Sequence, residues 1–322
     1  MDRRIGERQR WAWLAAGLSA AIAARGCGFG WIWVLGAGLL VTGYYIYMDV
    51  KLGSRGVASL LPRALAVAAL LWLILLMAWT ADLANGAFPM VNGYPVLGWT
   101  ILALSAWGAQ KGVAACARCA GVLCLFLAAL YGVIAVFALP DVQIEYLMPA
   151  GDWRDGLMPV GLFLLPAAVW YLPCTRSKKR PAWQMALLIP LASALLAAVT
   201  IGVLSPTLAR ELPSSLYVLA QSVSLFGVVE RIEPLLSAAM TMGVFCLVAV
   251  MACACTRLWG KLPLRKWNSV VCCAAAAVLM KWVRNTDLII VAAGNVAFGL
   301  ILPLAALWIG DRRKKRQEMV SE

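Results

Sequence analysis

The residues of this chain that could carry chemistry are few. Histidine is absent from its 322 positions. That removes the usual general base, the usual zinc ligand and the HExxH metalloprotease pattern. Ten cysteines are present. Cys116 and Cys119 form one CxxC, and Cys253/Cys255 and Cys272/Cys273 are close in sequence. A four-cysteine metal site needs two such pairs to converge, and the plainer reading is cysteine as a small buried apolar residue. Asp82, in WTADLANGAFP, lies near the end of a long apolar run. A carboxylate at that depth is a functional candidate by default; the competing reading is a boundary residue wetted from outside. Asp287 follows Lys281 and Arg284 closely enough for local pairing to account for it. Gly26, Gly28 and Gly30 lack the following lysine of a phosphate loop and read as a tight turn. Catalysis within a membrane needs paired carboxylates or a nucleophile with a base. The expectation is therefore a protein that is not an enzyme and uses no metal or cofactor.

The elements that position these residues are apolar throughout. Hydrophobic residues make up 63% and charged residues 13% of the chain, with a mean hydropathy of +0.84. That balance leaves no room for a sizeable soluble domain and predicts an all-α, polytopic membrane protein, 1–322 as a single transmembrane domain. Apolar runs at about 11–24, 31–48, 64–84, 96–109, 117–139, 157–173, 184–205, 235–255, 268–283 and 287–309 predict ten transmembrane helices. The basic N-terminal tail has no small-residue cleavage site after it, so the first run is expected to be a retained span.

Ten spans put both termini on one side. Of the 28 Lys and Arg residues, only Arg25, Arg154, Arg210, Arg231, Lys281 and Arg284 fall on the other side. That asymmetry places both termini in the cytoplasm and accounts for the net charge of +13 without invoking nucleic acid. The C-terminal DRRKKR reads as a stop-transfer flank beside lipid headgroups. Outside, between spans 7 and 8, Leu212 to Pro234 spaces Leu216, Leu219, Val223 and Phe226 along one helical face. This predicts an interfacial helix over about 213–231, with Glu230 and Arg231 at the start of span 8.

Five spans per half require the second half to run in the opposite sense. This is the inverted-repeat arrangement of many secondary transporters, with pseudo-repeats at about 11–139 and 157–309. Their binding sites lie at short or Gly/Pro-interrupted spans in corresponding positions. Span 1 is short and contains Gly17; span 6 contains Pro159, Pro166 and Pro173. Pro166 removes a backbone donor in mid-span, a defect tolerated in lipid only beside a cavity or packed protein; the plainer reading is a proline kink in a packed helix. Asn295 in span 10 is expected to bond a neighbouring helix.

Three patches resemble the endospore germination permeases, the B subunits of GerA-type germinant receptors within the amino acid–polyamine–organocation transporter superfamily. They are AWGAQKGVAACARCAGVL at 106–123, with Lys111-Gly112 and Ala117-Arg118; LPDVQIEYLMP at 139–149; and SLFGVVERIEPL within and just beyond the interfacial segment. The resemblance implies a LeuT-like fold in the cell membrane, specifically the inner membrane of the spore. It implies a role in sensing, or transporting, a small germinant such as an amino acid, with A- and C-type receptor subunits as partners. The sequence departs from the family in two places. The Gly-Thr-Gly-like break of span 1 is replaced by AAGLSAAIAARG, leaving Gly17 and Ser19 as ligand candidates. The acidic patch of span 6 is replaced by Leu164, Leu165 and Pro166, with Trp170 or Tyr171 left to line a pocket. The ligand contacts expected are Gly17, Ser19, Pro166 and Trp170, with Asp82 as the coupling candidate. The alternatives are a working amino-acid permease and a structural subunit without ligand.

Overall fold

The computed structural model describes residues 5–25, 29–86, 96–148, 153–175, 183–212, 214–222, 233–260, 267–284 and 286–321. Each of the ten apolar runs is occupied by helix. The principal helices are α1 (Glu7–Arg25), α2 (Trp31–Leu52), α4 (Arg63–Gly86), α5 (Val96–Lys111) and α6 (Val113–Ala138) in the first half. In the second half they are α7 (Trp153–Phe163), α8 (Trp183–Leu204), α11 (Glu233–Trp259), α12 (Asn268–Val283), α13 (Leu288–Asn295) and α14 (Leu302–Ser321). Shorter helices are α3 (Val57–Leu60), α9 (Pro206–Glu211) and α10 (Ser215–Ser222). Among the described residues, six helices are long and apolar enough to cross a membrane: α2, α4, α6, α8, α11 and the continuous Leu288–Arg312 run. Two shorter apolar stretches, Met158–Tyr171 and Asn268–Val283, accompany them. The first helix differs from expectation: it begins at Glu7, so Arg8 and Arg10 belong to it, and it runs through Gly17 without a break.

α11 occupies the centre. Cys246 through Cys255 are all at most 1% exposed, as expected of a helix apolar on every side. Peripheral helices show the reverse: Val122, Leu125, Val278 and Trp282 are each about 70–80% exposed. Water does not tolerate such a continuous belt of large apolar side chains, whereas lipid does.

In the expected five-plus-five division, helices of like order pack on one another. α2 packs on α8, α4 on α11 and α5 on α12, pairing corresponding helices. Exchanging each helix for its counterpart also turns the α4–α12 contact into α11–α5, and α4–α5 into α11–α12. In the same way α1–α6 becomes α7–α13, and α2–α7 becomes α8–α1. The α1–α11 and α6–α11 contacts have no counterparts of comparable extent.

Two stretches depart from α geometry, and side chains from neighbouring helices satisfy the backbone there. After Phe163 the sixth run tightens into a 3-10 segment, Leu165–Tyr171, with Pro166 near its start. Pro166 cannot donate to the Phe163 carbonyl; the Tyr45 hydroxyl donates to it instead at 2.6 Å. Asn295 Nδ2 donates to the Gly161 carbonyl at 3.0 Å, the interhelical bond its position suggests. The tenth run widens into a π turn, Val296–Ile301. There Tyr44 donates to the Gly299 carbonyl (2.7 Å) and Tyr171 to the Phe298 carbonyl (2.9 Å). In an apolar surrounding each such carbonyl is costly to leave unpaired. Tyr45→Phe is therefore expected to cost about 1–3 kcal/mol, read as lowered stability in detergent; an unchanged midpoint would show that the Phe163 carbonyl has another partner.

Small residues allow the closest helix approach. A Cβ placed on Gly161 would lie 2.5 Å from the Cα of Ala292, so α7 and α13 touch at backbone distance.

Candidate functional site

The sixth run is interrupted where it meets α1, so the first helices of the two halves face one another at an irregular backbone. Gly17 and Pro166 are brought together: a Cβ added at Gly17 would lie 3.4 Å from Pro166 Cβ. The same Cβ would lie 2.8 Å from Cδ2 of Leu247 on α11, so these three residues are in close packing. Ser19 lies two residues further along, with its hydroxyl donating to the Ala16 carbonyl at 2.8 Å. Of the two spans expected to be interrupted, only the sixth is, because Ala and Leu around Gly17 carry α1 through as regular helix.

Trp170 is fully buried in a cluster of aromatic and charged groups. Its ring packs edge-on to Trp11 (centroids 6.3 Å apart) and tilted against Tyr45 (5.7 Å). The Arg10 guanidinium sits 4.8 Å from the Trp170 ring centroid. Arg10 is 0% exposed, and its Nη1 lies 2.8 Å from Asp49 Oδ1 at the end of α2. Nη2 reaches the Leu172 carbonyl at 3.4 Å. The chain ahead of α1 is tied to the same place: Ile5–Gly6 (β1) pairs in parallel with Cys174–Thr175 (β2). Burial pushes the Cys174 thiol up, and the Arg10 charge partly offsets this. By sequence Arg10 reads as one of the solvated topology signals; its charge is instead internal to the fold.

Beside this cluster opens a cavity of about 1480 Å³. Its walls come from Gly6 and Gln9, from Gly56 and Ser59, from the α5–α6 turn, from Tyr171 and Thr175, and from the end of α11. The described lining holds Lys111, Arg118 and Arg257 and no carboxylate. The segments lining it all lie on the basic side of the chain in the sequence-derived topology. At the other end, where α8 stops, α10 buries Leu216 and Leu219 against α1, α8 and α11. This part of the expected interfacial helix covers that end; Val223, Phe226, Glu230 and Arg231 lie outside the described residues.

Asp82 is elsewhere. It accepts from Asn85 Nδ2 at 3.0 Å, and Asn85 Oδ1 accepts from the Gly98 amide at 3.0 Å, tying α4 to α5. Asn85 Nδ2 also approaches Met280 Sδ on α12. Asp82 thus belongs to the α4–α5–α12 junction and not to the place where α1 meets Pro166. Among the described residues no three His, Cys, Asp or Glu side chains cluster as metal ligands. The described cysteines are free thiols; Cys116 lies beside Cys253 and Cys255 beside Cys272, where α6 and α12 meet α11.

Sequence reading missed Asp49, the buried role of Arg10, and Tyr44 and Tyr45; it named Tyr171, but as a pocket wall and not as a donor to the Phe298 carbonyl. One signal was present for Asp49: an acidic residue closing a long apolar run whose other charged end is basic. The tyrosines carried none, since a hydroxyl near a carbonyl freed on a distant helix leaves no local pattern. No protein-family model and no curated protein matches this chain.

Proposed function

We propose that this chain is a multi-pass membrane protein of the secondary-transporter type. In this reading it crosses the membrane ten times as a LeuT-like five-plus-five inverted repeat and binds a small solute between α1 and the interrupted sixth run. The observation that carries the reading is that interruption, at Pro166 and directly against Gly17 of the first helix, in a bundle where most of the helix contacts of one half have a counterpart in the other. Discontinuous helices at such a pseudo-symmetric junction are where transporters of this type bind. The basic cavity and the α10 cover support an arrangement open towards the cytoplasm, with both termini there. The resemblance in 106–123, 139–149 and around 212–234 carries the narrower assignment: sensing of an amino-acid-like germinant within a receptor containing A- and C-type subunits. Solute contacts then come from Gly17, Ser19 and Pro166, while Trp170 holds the cytoplasmic half of the sixth run in place.

Binding is expected to show as thermal stabilisation of the purified protein that grows with solute concentration across an amino-acid panel. Pro166→Ala is expected to regularise the run and weaken binding of the stabilising solute at least tenfold. A second reading, a structural subunit without ligand, is favoured by Leu247 and Pro166 both packing against Gly17. A flat response over the whole panel and a wide concentration range supports that reading and removes the first. Uptake of the stabilising solute into proteoliposomes separates a permease from a sensor.

A further inference from the structure

A second concavity lies on the lipid-exposed side of the fold, between α5, α6 and α11. It is a groove of about 460 Å³ with walls from Ile101, Leu104, Trp107, Cys119, Met242 and Phe245. Leu104, Trp107 and Met242 are exposed along it. Lys111 closes one end, with its ammonium 5.4 Å from the Trp107 ring centroid. From Ile101 to Lys111 helix α5 advances about 15 Å, at about 1.5 Å per residue. That is half of the roughly 30 Å hydrocarbon core, the depth of one leaflet. Lys111 and Trp107 also line the basic cavity, where Arg118 stands on the first turns of α6 and no described carboxylate opposes them.

An apolar channel one leaflet deep, ending in cations at the headgroup level, matches one kind of molecule. We propose that the groove holds an anionic phospholipid of the cytoplasmic leaflet, with an acyl chain along α5 and its phosphate at Lys111 and Arg118. Away from Lys111 the groove walls are almost wholly apolar and offer the chain dispersion contacts. Each cation near an anionic headgroup strengthens binding about fivefold. The lipid would brace α5 and α6 against α11, the helices that flank the cytoplasmic cavity. The inference rests on the membrane orientation proposed above.

The test uses delipidated, purified full-length protein in mixed micelles with equal amounts of dioleoyl phosphatidylglycerol and dioleoyl phosphatidylcholine. Native mass spectrometry counts the lipids retained. The expected result is one retained phosphatidylglycerol in preference to phosphatidylcholine. Lys111→Ala is expected to reduce that preference about fivefold. Cys119→Trp, at an exposed position in the groove, is expected to remove retention of both lipids while the unfolding midpoint of the delipidated variant stays that of the delipidated parent. Equal retention of the two lipids, or retention unchanged in both variants, overturns the proposal. Failure of the membrane reading itself would appear separately, as release of the protein from native membranes by alkaline carbonate.

Discussion

Replacing Asp49 by alanine is expected to cost this protein about 3–5 kcal/mol, the range for breaking a buried ion pair by removing one partner. The penalty is the charge left behind. Arg10 is 0% exposed, and its strongest interaction is the 2.8 Å ion pair with Asp49. Without the carboxylate, the guanidinium loses its 2.8 Å partner, and the Leu172 carbonyl, 3.4 Å away, and the face of Trp170 are weaker contacts. Neither replaces a full counter-charge in low dielectric. The loss should appear as a lower unfolding midpoint in detergent, together with faster proteolysis near residues 5 and 174, where β1 pairs with β2. The double substitution Arg10→Met with Asp49→Leu should recover most of the stability, because neither charge then needs burial. A small effect of Asp49→Ala alone, below about 1 kcal/mol as for exposed pairs, would mean that water reaches Arg10.

The second large effect is expected at Gly161. A valine there puts a Cβ 2.3 Å from the Cβ of Ala292 and 2.5 Å from its Cα. The Cα belongs to the backbone, so no rotamer change relieves that clash, and α7 and α13 must separate. Overpacking of this kind costs about 1–3 kcal/mol. Separation also pulls Asn295 from the Gly161 carbonyl, 3.0 Å away, adding about 1 kcal/mol. Gly161→Val should therefore destabilise the protein by about 3 kcal/mol, measured by reversible unfolding in micelles. Ala292→Gly should restore part of the loss and no more, because the backbone of α13 still stands too close to the added side chain. Full tolerance of valine would show that the two helices do not cross at backbone distance.

These two sites differ in how far the sequence foretold them. Asn295 was an obvious candidate for an interhelical bond, because an amide in an apolar run has to find a partner. Its acceptor, the Gly161 carbonyl, could not be named, since that depends on which helix crosses it. Pro166 marked a break in the sixth run because proline lacks a donor, a local and obligatory consequence. The matching break at Gly17 did not form: one glycine among alanines and leucines is a modest helix penalty, which tertiary packing against Leu247 and Pro166 overrides. Asp82 looked like an isolated intramembrane charge, and only the approach of α5 and α12 supplied Asn85, Gly98 and Met280 as its setting.

By itself, the sequence determined the class of molecule, the ten apolar helical stretches, their approximate limits and the position of the proline interruption. Those properties follow from composition and from backbone chemistry acting over a few residues. Only the tertiary structure decided which helices face one another, that Arg10 is buried and paired with a half-buried Asp49, that Tyr44, Tyr45 and Tyr171 cap carbonyls on other helices, and that Lys111 stands where a basic cavity meets an apolar groove. Apolar helices in an apolar surrounding carry little information about their neighbours, because every face is greasy. Their partners are chosen by small residues that permit close approach and by polar groups that must be satisfied across the bundle.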